Sequence, residues 1–314
     1  HIATNQIDET LMKDAFVGDF SDVTVTAADT FLYGDATDSG NTKKDTVQGI
    51  LDLATGGSNH TGMIGGLRLT NTGSADTIGF EVGIARDYAD GVNMELSSAI
   101  TKTTASWAVG TGNGALDTGS VANNSGYGVY LIRRSDTGVV DILISLDKTA
   151  NMATATKPTG YDQWRLIGWF RTKGSANIMP FLHNGDYFYL RSADYPDFDD
   201  NTITANAYET VTTTAPPFSL VYWHIETYNA SETGDSAGFS IRTGDGLYYG
   251  DISGTRQNFY WNHNSSDTYD GMDMFTHCPV DASSQLQYAT HEGAGTVRIA
   301  GEILEINLVT RSNP

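Results

Sequence analysis

A single cysteine, Cys278, stands in 314 residues, which excludes a disulfide within the chain and any zinc site built on cysteine thiolates. The lone thiol reads as a small buried apolar group. Basic residues are scarce as well: 18 Lys and Arg face 38 Asp and Glu, for a formal net charge of −20. The closest approach to a basic cluster is the pairs Lys43–Lys44 and Arg133–Arg134, so the chain lacks what is needed to neutralise phosphates, and nucleic acid is not an expected partner. No apolar run approaches the ~20 residues of a membrane-spanning helix, and membrane insertion is not expected. The first residues, HIATNQIDET, carry neither the basic nor the apolar stretch of a signal peptide. No fixed short period recurs, which disfavours propellers, solenoids and β-helices.

What is present favours strands. Hydrophobic residues make up 39% of the chain and aromatics 11%, enough to fill real cores, while 34 Gly with frequent Thr, Asn, Asp and Ser suit tight turns. From Thr61 onward a period of two runs through MIGGLRLTN, TIGFEVGIA, YGVYLIRR, VVDILISL, WRLIGWFRT and IMPFLHNGDYFYL. Asn184–Gly185 is expected at the centre of a hairpin turn, because both residues tolerate positive φ. The alternation resumes after Phe218 in FSLVYWHIETY, AGFSIRT, QNFYWNH, QLQYAT and TVRIAGEILEINLV. The expected fold class is mainly β, antiparallel β-sandwich domains with a short, partly helical N-terminal segment.

Two helices are expected near the start. Ile7, Leu11, Ala15 and Phe16 follow helical spacing between Asn5 and Val17, and Val47, Ile50, Leu51 and Ala54 share one face of a helix from Thr42 to Ala54. Thr42 with Asp45 resembles a capping box, and Gly56–Gly57 ends the element. Helices this short gain their stability from what they pack on, which makes Ile7, Leu11, Val47, Ile50 and Leu51 candidate attachment or oligomer contacts. The expected organisation is residues 1–55 as an attachment segment, 56–191 as a β domain, 192–217 as a Thr- and Asp-rich hinge, and 218–314 as a C-terminal β-sandwich.

Several stretches are similar to tailed-bacteriophage structural proteins of the tail-fibre or spike kind. The run SDVTVTAADTFLYGDATDSGNTKKDTVQGILDLA, Ser21 to Ala54, resembles a segment near the start of such proteins. GALDTGS, YGVYLI and KPTGYDQWRLIGWFRTKGSANIMPF resemble a β domain that recurs in them, and PVDASSQLQY followed by TVRIAGEILEI is similar to their last hairpins. The resemblance implies a virion component exposed on the particle exterior after assembly in the bacterial cytoplasm. Its partners would be sister copies, usually in a trimer, other virion proteins reached through the N-terminal segment, and host-surface glycan. It carries no catalytic residue across. A capsid decoration protein and a glycan-depolymerising tailspike are the competing readings, the second weakened by the missing β-helix repeat.

Candidate chemistry is sparse. His1, His60, His183, His224, His263, His277 and His291 show no HExxH and no pair at helical metal-ligand spacing, so neither a metal, a cofactor nor a catalytic residue is assigned. Asp194, Asp197, Asp199 and Asp200 lack the Gly and terminal Glu of an EF-hand loop and read as a solvated linker. Tyr248, Tyr249, Tyr260, Trp261 and Tyr269 sit among Asp, Asn, Ser and Gly within Gly246–Asp270. Aromatic faces beside short polar side chains suit sugar rings, which makes these five the candidate receptor or glycan contacts. The competing reading is that alternate members point into the core.

Overall fold

The computed structural model describes residues 26, 28–35, 41–47, 62–71, 73–190, 196–200, 207–229, 236–246, 259–262, 270–291 and 297–308. The chain divides into two compact units, His1–Asn59 and His60–Pro314. In the first, β1 (Thr30–Asp35) pairs antiparallel with β2 (Asn41–Thr46), Thr30 opposite Thr46 and Asp35 opposite Asn41. A turn precedes β1, with the Asp29 amide donating to the Thr26 carbonyl at 3.1 Å and the Thr26 amide to Asp29 Oδ2 at 2.6 Å. The helix expected to start at Thr42 is therefore corrected: residues 41–46 are strand. The Thr42–Asp45 capping signal is outweighed because extended backbone lets each of these residues pair with β1. Val47 closes β2 through its amide to the Asp29 carbonyl at 2.8 Å, while Ile7, Leu11, Ile50 and Leu51 lie outside the described residues.

The second unit is mainly β, built from several antiparallel sheets. Its first strands are β3 (Ile64–Gly66), β4 (Leu69–Thr70), β5 (Thr77–Phe80), β6 (Gly83–Arg86), β7 (Asn93–Leu96), β8 (Ile100–Ser106) and β9 (Gly114–Leu116). There follow β10 (Gly126–Arg134), β11 (Val140–Ser145), β12 (Tyr161–Arg171), β13 (Phe181–Asn184), β14 (Tyr187–Leu190), β15 (Phe198–Asp200) and β16 (Glu209–Thr212). The last are β17 (Leu220–Asn229), β18 (Ser236–Thr243), β19 (Phe259–Asn262), β20 (Asp270–Pro279), β21 (Gln285–His291) and β22 (Val297–Asn307). Hydrogen bonding links thirteen strands in the order β12-β10-β11-β9-β8-β5-β4-β13-β14-β22-β17-β20, with β15 also on β22. Two further sheets, β16-β21-β18-β19 and β3-β6-β7, complete the unit.

An open sheet of that width does not stay flat. One buried cluster runs through both halves: Leu67, Ile144 and Trp169 from the first belong to it together with Trp223, Ile241 and Ile303 from the second. Strands β10 and β11 are buried on both faces: Val129 and Leu131 enter that core while Tyr130 and Ile132 enter a smaller one with Leu143, Met152 and Leu166. This is why YGVYLIRR and VVDILISL carry apolar residues on both sides of the alternation. The hairpin β13–β14 forms where expected, although its two loop residues are Gly185 and Asp186, one place later than the predicted centre. Gly185 takes φ +62°, the conformation glycine supplies at the first loop position.

Residues 192–217, expected as a hinge, are instead stitched to both halves wherever they are described. Phe198–Asp200 pairs with β22 and Glu209–Thr212 with β21. Asp197 lies 3.5 Å from Arg171 Nε, both side chains fully buried, and accepts from the Thr214 amide and hydroxyl. Trp169 Nε1 donates to the Thr214 carbonyl at 2.9 Å, and Lys148 donates to the carbonyls of Thr213 and Thr214. Burial pushes the Lys148 amine down to about 8, partly offset by Asp197 and Asp147. Among the described residues the buried charges and the sheet run across this stretch, and the division into compact units falls at Asn59–His60. Asp199 accepts from Arg298 Nε at 2.7 Å in an exposed pair and Asp200 from the Tyr288 hydroxyl at 2.7 Å, so both carboxylates are tied to the sheet; Asp194 lies outside the described residues.

One buried ion pair holds the first half. Lys102 Nζ lies 3.0 Å from Asp141 Oδ1, both almost fully buried, and donates to the carbonyls of Ala108 and Gly110 at 2.7 and 3.1 Å. Asp141 in turn accepts from the amides of Gly110 and Ile142 at 2.8 and 2.7 Å, so the network is closed. Removing one partner strands the other charge in the core. Lys102→Met is expected to cost about 3–5 kcal/mol, read as a lowered urea midpoint with an unchanged m-value.

Candidate functional site

The outward face of β13, β14, β22, β17 and β20 carries a run of exposed aromatic and ionisable side chains. Period-two geometry decides which residues reach it. On β17, Val221, Trp223 and Ile225 are buried, leaving Tyr222, His224 and Glu226 on the other side. On β20, Met274 and Cys278 are buried and Asp273, Phe275 and His277 face out. The register sets these against one another as Tyr222 with His277, His224 with Phe275, and Glu226 with Asp273. On the other flank β22 supplies Glu305 opposite Tyr222 and Glu302 opposite His224. Glu302 and Glu305 are three apart and share a face because a register shift between Tyr222 and Trp223 inserts one residue into β22.

The inward face explains why this sheet is held rigid. Phe198 stacks on Tyr288 with centroids 5.2 Å apart and tilts against Trp223 at 5.8 Å, joining β15, β17 and β21 in one aromatic column. A side chain at Gly301 would meet the Phe198 ring at 2.1 Å, so glycine is required there. Trp223 Nε1 is satisfied by the Cys278 carbonyl at 3.2 Å. Burial pushes the Cys278 thiol up to about 12, which leaves it unreactive near neutral pH.

Across the outward face, registered neighbours run Leu182, Tyr189, Glu305, Tyr222 and His277 from β13 to β20, roughly 20 Å at ~4.8 Å per strand. Phe275 is 56% exposed, Leu182 45%, Tyr187 41% and Tyr189 36%. Tyr187 and Tyr189 stack with centroids 6.3 Å apart, His224 stacks on Phe275 at 4.7 Å, and Tyr222 leans on His277 at 4.6 Å. At the centre, His224 Nε2 lies 3.8 Å from Asp273 Oδ1 and His224 Nδ1 lies 3.6 Å from Glu302 Oε2. Burial raises the Glu302 carboxyl above its ordinary value, with Glu226 adding to the rise and His224 and Arg171 opposing it.

An open depression of about 720 Å³ lies on the first half, lined by Trp107, Val109, Arg134, Thr137, Val139, Pro158, Thr159 and Tyr161. Trp107 meets Tyr161 edge-on at 5.2 Å, and its indole N–H is already spent on the Ile142 carbonyl. Arg134 is paired with Asp136 at 2.7 Å. His183 is structural: its Nδ1 accepts from the Leu69 amide at 2.8 Å and its ring stacks on Phe188 at 4.1 Å.

Of the five residues expected to contact glycan, Tyr260 and Trp261 belong to β19 at an end of the four-stranded sheet, and Tyr248, Tyr249 and Tyr269 lie outside the described residues. Sequence reasoning passed over His224 and Glu302. The available signal was HIE at 224–226, two ionisable groups on one side of a strand, whereas their partners are brought in by pairing with segments far along the chain.

No family model and no curated protein matches the chain. Among solved structures, the isomalto-dextranase of Arthrobacter globiformis T6 complexed with panose is similar at 15% identity and a TM-score of 0.22, over 59% of this chain and 35% of that one. The likeness thus spans about a third of that protein's length, and so loose a superposition carries no inference about activity.

A carboxyl whose folded pKa is raised stabilises the fold below its unfolded value and loses that contribution as pH rises through the folded one. In metal-free buffer, Glu302→Gln is therefore expected to melt at a higher temperature than the unaltered chain at pH 7.5 and at the same temperature at pH 4. A variant that melts lower at pH 7.5 would show that the carboxylate stabilises the fold instead.

Proposed function

We propose that this chain is a non-catalytic, homo-oligomeric structural protein of a bacteriophage particle, a fibre- or spike-like component presenting β domains for adhesion to the host surface. The observation that supports this reading best is the outward face of β13, β14, β22, β17 and β20. Phe275, Leu182, Tyr187 and Tyr189 stand exposed on a sheet whose opposite side is fixed by Trp223 and Phe198. An exposed aromatic patch of this kind, with carboxylates and histidines between the rings, marks an interaction surface, and aromatic side chains are the usual anchors of such surfaces. Closed symmetric assembly covers the same patch on every copy and repeats any host-binding surface around the axis, so that weak single contacts add to strong attachment.

The first unit supports an attachment role. A two-stranded hairpin is marginal by itself, and β1 holds Leu32 73% exposed and Tyr33 41% exposed. Those side chains, with Ile7, Leu11, Val47, Ile50 and Leu51, are the residues through which the segment would dock on other virion proteins.

Light scattering on the eluting purified chain tests the assembly. The unaltered protein is expected as a trimer, and Tyr189→Glu with Phe275→Glu as a monomer with an unchanged far-UV spectrum. If each anchor contributes roughly 2 kcal/mol, the double variant weakens each interface on the order of a thousandfold. A solitary monomer at all concentrations for the unaltered chain would defeat the reading.

A further inference from the structure

The centre of the outward face holds a group of side chains that oligomer contact does not explain. His224 and Glu226 of β17 and Asp273 of β20 each offer one ligand atom, all of them within 4.8 Å of one another. A second feature is independent of that convergence. Glu302 is 5% exposed, and its Oε1 is buried with no hydrogen-bond partner among the described residues. A buried carboxylate oxygen left unpaired is costly unless a positive charge lies close by. Its other oxygen sits 3.6 Å from His224 Nδ1, behind the ring nitrogen that faces Asp273.

Those two features fit one another. A carboxylate beside Nδ1 orients a histidine and turns its Nε2 lone pair outward; carboxylate–histidine–metal triads are built this way. Here Nε2 is the nitrogen that faces Asp273, at 3.8 Å. We propose that His224 Nε2, Asp273 and Glu226 form a binding site for a divalent transition ion, Zn²⁺ by preference, with Glu302 as the positioning residue behind the histidine.

The dimensions and donor types agree with that ion. Zinc binds imidazole nitrogen at about 2.0–2.1 Å and carboxylate oxygen at about 2.0–2.2 Å, which sets tetrahedral ligand atoms roughly 3.4 Å apart. Asp273 and Glu226 are exposed and have rotamers with which to close the remaining gap. One imidazole with two carboxylates suits zinc, whereas calcium needs six to eight oxygens, which three side chains do not supply. The fourth position stays open to water. Bound there, the ion ties β17 to β20 across the sheet and offsets the buried charge of Glu302.

Isothermal titration of the full-length, chelator-stripped protein with ZnCl₂ alone tests this site. The expected result is one zinc per chain, a melting temperature raised by zinc and not by Ca²⁺ at the same concentration, and loss of both effects in His224→Ala. Glu302→Gln is expected to keep the stoichiometry and weaken affinity about 10–100-fold, a change that a merely structural carboxylate would not produce. Asp273→Asn, at an exposed position that does not endanger folding, weakens it too. His277→Ala, on the same face outside the group, retains full affinity. No zinc heat from the unaltered chain, or unaltered affinity in both His224→Ala and Asp273→Asn, would overturn the site; unaltered affinity in Glu302→Gln alone would overturn the role of Glu302.

Discussion

Strand β17 is the constraint on which the second half depends, because it is paired along its whole length on both sides and divides its residues strictly between two environments. Val221, Trp223 and Ile225 go to a core shared with Phe198, Tyr288 and Ile303. Once that inward set is buried, the register with β20 and β22 leaves no freedom about which side chains meet outside. A slip of one residue would bury His224 and Glu226 and expose Trp223, at a cost of several kcal/mol. The aromatic face and the histidine–carboxylate group are thus two consequences of a single packing decision.

The same reasoning separates the ionisable groups that hold the fold from those available for binding. Lys102 with Asp141, and Arg171 with Asp197, are enclosed and paired, so they fix one arrangement of the chain. Asp147 is similar: burial pushes its carboxyl up, yet hydrogen bonds from Thr149 and Thr154 outweigh this and hold it below the usual range. Glu302 differs, since burial prevails over its single ion pair and its carboxyl is raised. Among the carboxyls with a resolved shift, that imbalance sets it apart from the purely structural ones and links it to His224.

Much of the fold was legible because period two dominates the chain. YGVYLIRR, WRLIGWFRT, FSLVYWHIETY and TVRIAGEILEINLV each correspond to a strand, and the Gly185 hairpin missed its centre by one residue. The helix expected from Thr42 misread a local capping signal that pairing with β1 outweighs over residues 41–46. The expected hinge at 192–217 misread acidic composition as solvation, when Asp197, Asp199 and Asp200 are each engaged by groups distant in sequence, Arg171, Arg298 and Tyr288. The candidate site was the least legible part, for the same reason: His224 meets Asp273 and Glu302 only through register, and no local spacing encodes a neighbour two strands of chain away.

The central claim is that the outward aromatic face is covered by sister copies. Hydroxyl-radical footprinting of Tyr187, Tyr189 and Phe275 over a dilution series measures this directly, with the exposed Val82 as an internal reference. The account predicts that the three aromatic positions are protected at high concentration and become reactive together on dilution while Val82 stays constant. Reactivity that is high and independent of concentration at all three would contradict it.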